Sequence, residues 1–133
     1  MQISRGRMQG TPSEARGKGD TFTGRVWADV VLQAAPQVSV YAVFFEPAAR
    51  TFWHRHEGGQ VLAVSHGLGL IQARDGSGGV LTPGDVVHIP AGEEHWHGGS
   101  PDAYMIHLAV SIGATEWLTE VTDEEYAASK RFL

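Results

Sequence analysis

The chain has 133 residues, the length of a single domain, and is 42% hydrophobic and 19% charged, which is globular and argues against wholesale disorder. It has 0 cysteines, which excludes a disulfide scaffold, a thiolate zinc site, an iron–sulfur cluster and a cysteine nucleophile. Its net charge of −5 gives no electrostatic reason to bind nucleic acid.

Residues 1–20 carry Arg5, Arg7, Arg16 and Lys18 against Glu14 and Asp20, a local balance of +2 that leaves −7 for the remainder. This Gly-, Ser-, Thr- and Arg-rich stretch reads as a flexible tail, or as an edge strand supplied in an oligomer by Gln2-Ile3-Ser4. Residues 21–133 read as one domain. The longest apolar run, Val40 to Phe45, is far short of the ~18 residues of a membrane span. No apolar stretch follows the basic residues at the start, so a secretory signal is not expected and a cytoplasmic location is the default.

From Phe22 onward the pattern is short strands punctuated by turns, in keeping with 17 glycines. Val26–Gln33 and Val38–Glu46 read as strands. The second is apolar on both faces, which predicts burial between two layers. Pro47 ends it, because proline cannot donate to a ladder. A strand over Phe52–His56 turns at Glu57-Gly58-Gly59 into another over Gln60–His66. Leu68–Arg74 leads into Asp75-Gly76-Ser77-Gly78-Gly79, a hairpin signal, and Val80–Thr82 returns. Val86–Ile89 lies between the turns Pro83-Gly84-Asp85 and Pro90-Ala91-Gly92. Tyr104–Ser111 is a long alternating strand. Thr122 and Glu125 have capping-box spacing before a short amphipathic helix over Tyr126–Phe132. Many short strands with one terminal helix predict an all-β sandwich or small barrel.

All 7 histidines lie between His54 and His107. Residues two apart on a strand share a face, so His54 and His56 point the same way, as do His95 and His97. The glycine turn lets Gln60 fold back beside the first pair. Imidazoles and an amide oxygen could converge on a metal if these strands are neighbours; paired histidines on a strand are also sometimes plain polar surface.

Two motifs favour convergence. His54-x-His56-x3-Gln60-x6-Gly67 and Gly84-x5-Pro90-x-Gly92-x2-His95 resemble the two motifs of the cupins, small jelly-roll β-barrels that hold a metal inside. The resemblance covers roughly residues 38–111 and implies His54, His56, Gln60 and His95 as metal ligands. The chain departs from the family pattern at Ala48, where a glycine is usual, at Gly99, where an asparagine is frequent, and at Gln60, where a glutamate is usual. The last departure matters most. A neutral ligand leaves the charge of a divalent ion uncompensated, which favours Lewis-acid chemistry over oxygen activation.

A narrower resemblance rests on Phe22-Thr23-Gly24, Phe45 to Thr51, Pro83-Gly84-Asp85-Val86-Val87, His95-Trp96-His97-Gly98, His107-Leu108-Ala109 and Val121-Thr122-Asp123-Glu124. Together these are similar to the bacterial manganese-dependent cupin hydroxynitrile lyases, a group whose relatives often carry a carboxymuconolactone-decarboxylase-like label. The resemblance implies Mn2+ as cofactor, with Fe2+, Zn2+, Ni2+ and Cu2+ equally compatible with the ligand types. It also implies a small-molecule cyanohydrin substrate and a homodimer or homotetramer. His97 and His107 are the candidate acid–base groups, and Thr51 could supply a hydroxyl. Other expectations stay open: a dioxygenase, a decarboxylase, a sugar-processing isomerase, or a non-catalytic binding barrel. Phe44, Phe52, Trp53 and Trp96 read as barrel packing, and Arg50 and Arg55 as solvated or interface residues. His66 reads as structural or exposed; His88 has no assigned role.

Overall fold

The structure, a computed structural model, describes residues 1–5, 14–16 and 21–133, with residues 14–16 as backbone alone. The reading of residues 1–20 as a tail or edge segment therefore falls largely outside the described residues. Within them, Glu14–Arg16 (β1) pairs with Val26–Ala34 (β3), and the Gln2 amide donates to the Gln33 carbonyl farther along that strand.

The elements that follow are Phe22–Thr23 (β2), Val38–Phe45 (β4), Arg50–Thr51 (β5), His54–His56 (β6), Gln60–Gly67 (β7), Gly69–Ala73 (β8), Gly78–Leu81 (β9), Val86–Ile89 (β10), His95–Gly99 (β11), Met105–Ile112 (β12) and Thr115–Trp117 (β13). Helix α1 spans Asp123–Ser129 and runs into a 3-10 turn over Lys130–Phe132. The strands form two antiparallel sheets. A six-stranded sheet has the order β1-β3-β4-β12-β7-β10, and a seven-stranded sheet the order β13-β6-β11-β5-β2, with β8 on β11 and β9 on β8. This double-sheet β fold with one short terminal helix is the jelly-roll class that the motif resemblance implied, within the sandwich or small barrel expected from the strand pattern.

Alternation decides what lies between the sheets. On β12, Met105, His107, Ala109 and Ser111 are buried, whereas Leu108 and Ile112 are exposed. Val26, Phe45, Val64 and Met105 form one part of the core, and Leu62, Ile89 and Ala109 another. A separate cluster of Trp53, Leu70, Trp96, Val121 and Tyr126 lies under α1, where Thr122 and Glu125 form the expected reciprocal cap. Trp53 and Trp96 thus pack the outside of the seven-stranded sheet and not the space between the sheets.

Three expectations are corrected. First, β4 is not buried on both faces: Val38, Val40, Ala42 and Phe44 point outward and remain half-buried in the single chain. Second, Phe52–His56 is not one strand. Phe52 and Trp53 leave the ladder, their amides bonding to the carbonyls of Thr21 (2.7 Å) and Thr119 (2.9 Å). The pairing with β11 shifts by one residue across this break, from Gly98 opposite Arg50 to His95 opposite His54, which is the signature of a bulge. Third, Arg50 is buried. Its guanidinium donates to the carbonyls of Ala48 and Val121 and to Asp123 (2.8 Å), and lies over the Tyr126 ring, fixing the C-terminal segment to the barrel. Arg55 is partly exposed and paired with Glu116.

The turn residues are chosen by backbone shape. A side chain on Gly67, at φ 84°, would meet the Tyr104 carbonyl oxygen at 1.9 Å. Ala48 has φ 64° and is the single non-glycine residue with positive φ among those described. An L-residue pays roughly 1 kcal/mol there. Ala48→Gly should therefore raise stability by about 1 kcal/mol and lift the melting temperature by a few degrees; an unchanged or lower melting temperature would show that the alanine methyl contributes packing that offsets its backbone cost.

Candidate metal centre

The two sheets each bring part of one cluster. The seven-stranded sheet supplies His54 and His56 from β6 and His95 and His97 from β11, each pair on alternate positions and all four buried. Pairing places His54 directly opposite His95, with ring centroids 4.2 Å apart. The His56 ring lies 5.0 Å from that of His54 and 5.7 Å from that of His95. The six-stranded sheet supplies Gln60, the first residue of β7, and His107 from β12.

Hydrogen bonds orient these rings. Nδ1–H of His54 donates to the Phe52 carbonyl and Nδ1–H of His95 to the Glu93 carbonyl, both at 2.9 Å. A carbonyl can only accept, so each neutral ring keeps its lone pair on Nε2 and aims it inward. His56 Nδ1 shares a hydrogen bond with Thr115 Oγ1 (2.9 Å), leaving a buried Nε2 with no partner.

His95 Nε2 lies 3.0 Å from Gln60 Oε1. With the amide oxygen turned to the ring, both atoms present lone pairs, and no proton lies between them unless His95 becomes cationic. Burial opposes that, holding His95 below the ordinary histidine range. A cation removes the conflict. Two donors about 2.1 Å from one ion and at right angles are about 3.0 Å apart, so this separation fits neighbouring ligands. One donor atom from each of His54, His95 and His97 also lies within 4.8 Å of the others. That set holds His97 where the sequence reading has His56, whose ring also borders His54 and His95, so the described residues build a buried histidine site whose donors suit a divalent metal.

His97 and His107 stand beside this cluster. His107 Nε2 is 3.0 Å from His97 Nδ1, while His97 Nε2 and His107 Nδ1 are buried without partners. Thr51 Oγ1 accepts the His97 backbone N–H at 3.2 Å. All the candidate site residues named from the sequence are therefore gathered in one place, whereas His66 and His88 are exposed and take no part in it. Sequence reading missed Ser111, Thr115, Tyr41 and Trp117. Ser111 Oγ accepts from Gln60 Nε2 at 3.1 Å, and the Trp117 ring lies 4.7 Å from that of His54. No motif marks them, because register alone brings them to the site.

A cavity of about 320 Å³ opens on the cluster. His54, His56, Gln60, His97 and His107 line its polar side. Phe22, Tyr41, Phe45 and Trp117 line its apolar side, with Phe22 edge-on to Trp117 at 5.7 Å. The cavity can hold a small aromatic molecule against the histidines.

The cupin-domain family matches residues 42–110, just over half of the chain. The chain is a cupin. Over 122 residues it is 45% identical to the (R)-mandelonitrile lyase of Granulicella tundricola, a match covering 86% of this chain and 93% of that protein. It is 31% identical over 77 residues to the acireductone dioxygenase of Gluconobacter oxydans, covering 56% of this cupin and 41% of the dioxygenase. Among solved structures, a cupin-like protein from Thermotoga maritima superposes with a TM-score of 0.83 at 40% identity, over 92% of this chain and 97% of the other.

The electrostatics carry a stability consequence. Burial pushes His107 down to about 4, and burial with the neighbouring His95 pushes His56 down to about 4. His54 and His97 are lowered well below the usual range, chiefly by burial and then by the adjoining histidines. In the unfolded chain these groups titrate near 6.5, so between about pH 6.5 and pH 4 the unfolded state binds more protons than the folded one. Stability of the metal-free cupin should be fully present above about pH 6.5 and fall steadily as pH drops towards 4. Melting temperatures of chelator-treated protein across pH 7.5–4 check this; a flat profile would show that the rings are not held neutral.

Proposed function

We propose that this cupin is a metal-dependent lyase that cleaves cyanohydrins to an aldehyde and cyanide and runs the reverse addition, with His54, His56, Gln60 and His95 as ligands and Mn2+ as the ion. The observation that carries the reading is the facing pair of lone pairs at His95 and Gln60, set at the end of an aromatic-walled cavity. The relative at 45% identity is named for cleaving mandelonitrile, an aromatic cyanohydrin. When bound, a divalent ion supplies Lewis-acid polarisation of a substrate oxygen. The neutral Gln60 supports that use over redox chemistry, which also weighs against a dioxygenase reading from the shorter match.

The protein groups supply the rest. His97 Nε2 is buried without a partner next to the histidine cluster and, in this reading, takes the proton of the cyanohydrin hydroxyl; burial keeps the ring neutral and hence able to accept. His107 Nε2, at 3.0 Å from His97 Nδ1, holds that ring in place and shares its second proton. Thr51 Oγ1 accepts from the His97 backbone, leaving its own hydroxyl hydrogen to donate into the cavity. Phe22, Phe45 and Trp117 surround the substrate ring and exclude water.

With Mn2+, the protein should release benzaldehyde from mandelonitrile, followed by its ultraviolet absorbance. His54→Ala should lose the metal and the rate together, and His97→Ala should keep the metal but lose most of the rate, by about 10²-fold or more. No metal-dependent rate above background overturns the catalytic reading. Oxygen uptake by an iron-loaded sample would replace it with a dioxygenase, and tight Mn2+ binding without turnover with a binding protein.

The oligomer belongs to the same proposal. The outward residues of β4, β7 and β12, including Val40, Ala42, Phe44, Val61, Ala63 and Leu108, make an apolar face, extended by Val86, which is 70% exposed. Its carboxylates, Asp29 and the Glu46 that accepts from Trp27, sit towards the β3 edge. Five strands by eight residues span roughly 25 Å square, on the order of 600 Å² before side-chain relief. A stable interface needs about 800 Å² per partner. A second copy fits best, since two such faces meet without opposing like charges at their centre. Light scattering should report a dimer or a multiple of it, and Leu108→Lys should give monomers that still bind metal. A monomeric wild type, or an unchanged assembly in the variant, removes this interface.

A further inference from the structure

Gln60 must present one particular end of its amide. Oxygen can face a cation and NH2 cannot, yet the two ends have nearly the same shape. With the oxygen on the cation, the buried NH2 end needs an acceptor of its own or is left unsatisfied. In this cupin the NH2 end meets one group, Ser111 Oγ at 3.1 Å, while the oxygen end faces His95 Nε2 at 3.0 Å. Both Gln60 and Ser111 are buried side chains on the cavity wall, and the hydroxyl is the protein group that the NH2 end meets.

The contact is dictated by the fold. Antiparallel register sets Ser111 of β12 directly opposite Gln60 of β7, and Ser39 of β4 directly opposite Ser111. Together they form a polar row across a sheet face whose neighbouring positions, Leu62, Ala109 and Tyr41, are apolar or aromatic. An exposed serine needs no such explanation, but a buried one on the inner face, aligned with the single amide of the cluster, does.

We infer that Ser111 is a positioning residue that holds the Gln60 amide with its oxygen towards the histidines, so that Mn2+ affinity depends on the Ser111 hydroxyl. The inference rests on the reading of Gln60 as a ligand. It follows from the departure at this position: a glutamate has two oxygens and no wrong end, so it needs no such partner, whereas a glutamine does.

The test is a double-mutant cycle read by direct Mn2+ binding to metal-free protein, using the electron paramagnetic resonance signal of free Mn2+. Ser111→Ala should weaken binding about tenfold or more, in the range typical for partners that orient a metal ligand. Ser111→Thr, which keeps the hydroxyl, should restore most of it. In a Gln60→Glu background the same Ser111→Ala change should have little effect. Unchanged affinity in Ser111→Ala overturns the inference, and so does an equal loss in both backgrounds, which would mark a packing role. Wild-type affinity in Gln60→Ala would overturn the ligand reading itself. If the alanine variant folds poorly by circular dichroism, Ser111→Cys, similar in shape and a weak acceptor, makes the same comparison.

Discussion

The pairing of His54 with His95 across β6 and β11 is the contact on which the interior depends. It places two buried rings 4.2 Å apart, and backbone carbonyls at Phe52 and Glu93 hold the Nδ1 protons outward. What remains between them is a concentration of lone pairs with no protons to share. Burial lowers the proton affinity of every ring in the cluster, so the charge that the donors call for is not obtained by protonation in the neutral range. A buried polar group without a partner costs on the order of 1–3 kcal/mol. The fold sustains several of them, at His56, His97 and His107, in one place. Such an arrangement makes sense as a site that a cation and a substrate complete.

The two sheets divide the work. The seven-stranded sheet carries four of the histidines, and its outer side is sealed by the Trp53–Trp96–Tyr126 cluster and the Arg50 clamp. The six-stranded sheet carries Gln60 and His107 on its inner face and a broad apolar surface on its outer face. The same alternation along β12 thus serves two purposes, with odd-numbered residues turned to the interior and even-numbered residues to the apolar outer face. A one-residue change of register in this strand would exchange both.

The bulge between β5 and β6 has the largest effect on the site relative to its size. In an unbroken strand Thr51 would face away from His54 and His56. The extra residue at Phe52-Trp53 reverses the alternation, so that Thr51 lines the same cavity as the two histidines while Arg50 turns into the outer cluster. This explains why Arg50, read from sequence as solvated or at an interface, is buried. It also explains how Thr51 comes to hold the His97 backbone.

The sequence by itself determined an all-β fold of short strands, the terminal helix with its cap, and the pairing of His54 with His56 and of His95 with His97 on shared faces, because these rest on local spacing: residues two apart on a strand, glycines where the backbone takes positive φ, and a threonine three residues before a glutamate; His107 and Thr51 came from the motif resemblance. Spacing also named Gln60, a neutral side chain that meets His95 in the cluster. Tertiary structure alone decided which atoms face each other. That Ser111 lies opposite Gln60, that Thr115 reaches His56, that Trp117 covers His54 and that the outer face of β4 lies open all depend on register between strands far apart in the chain. A ladder of backbone hydrogen bonds sets that register, and those bonds are the same for every side chain, so local sequence carries little trace of it.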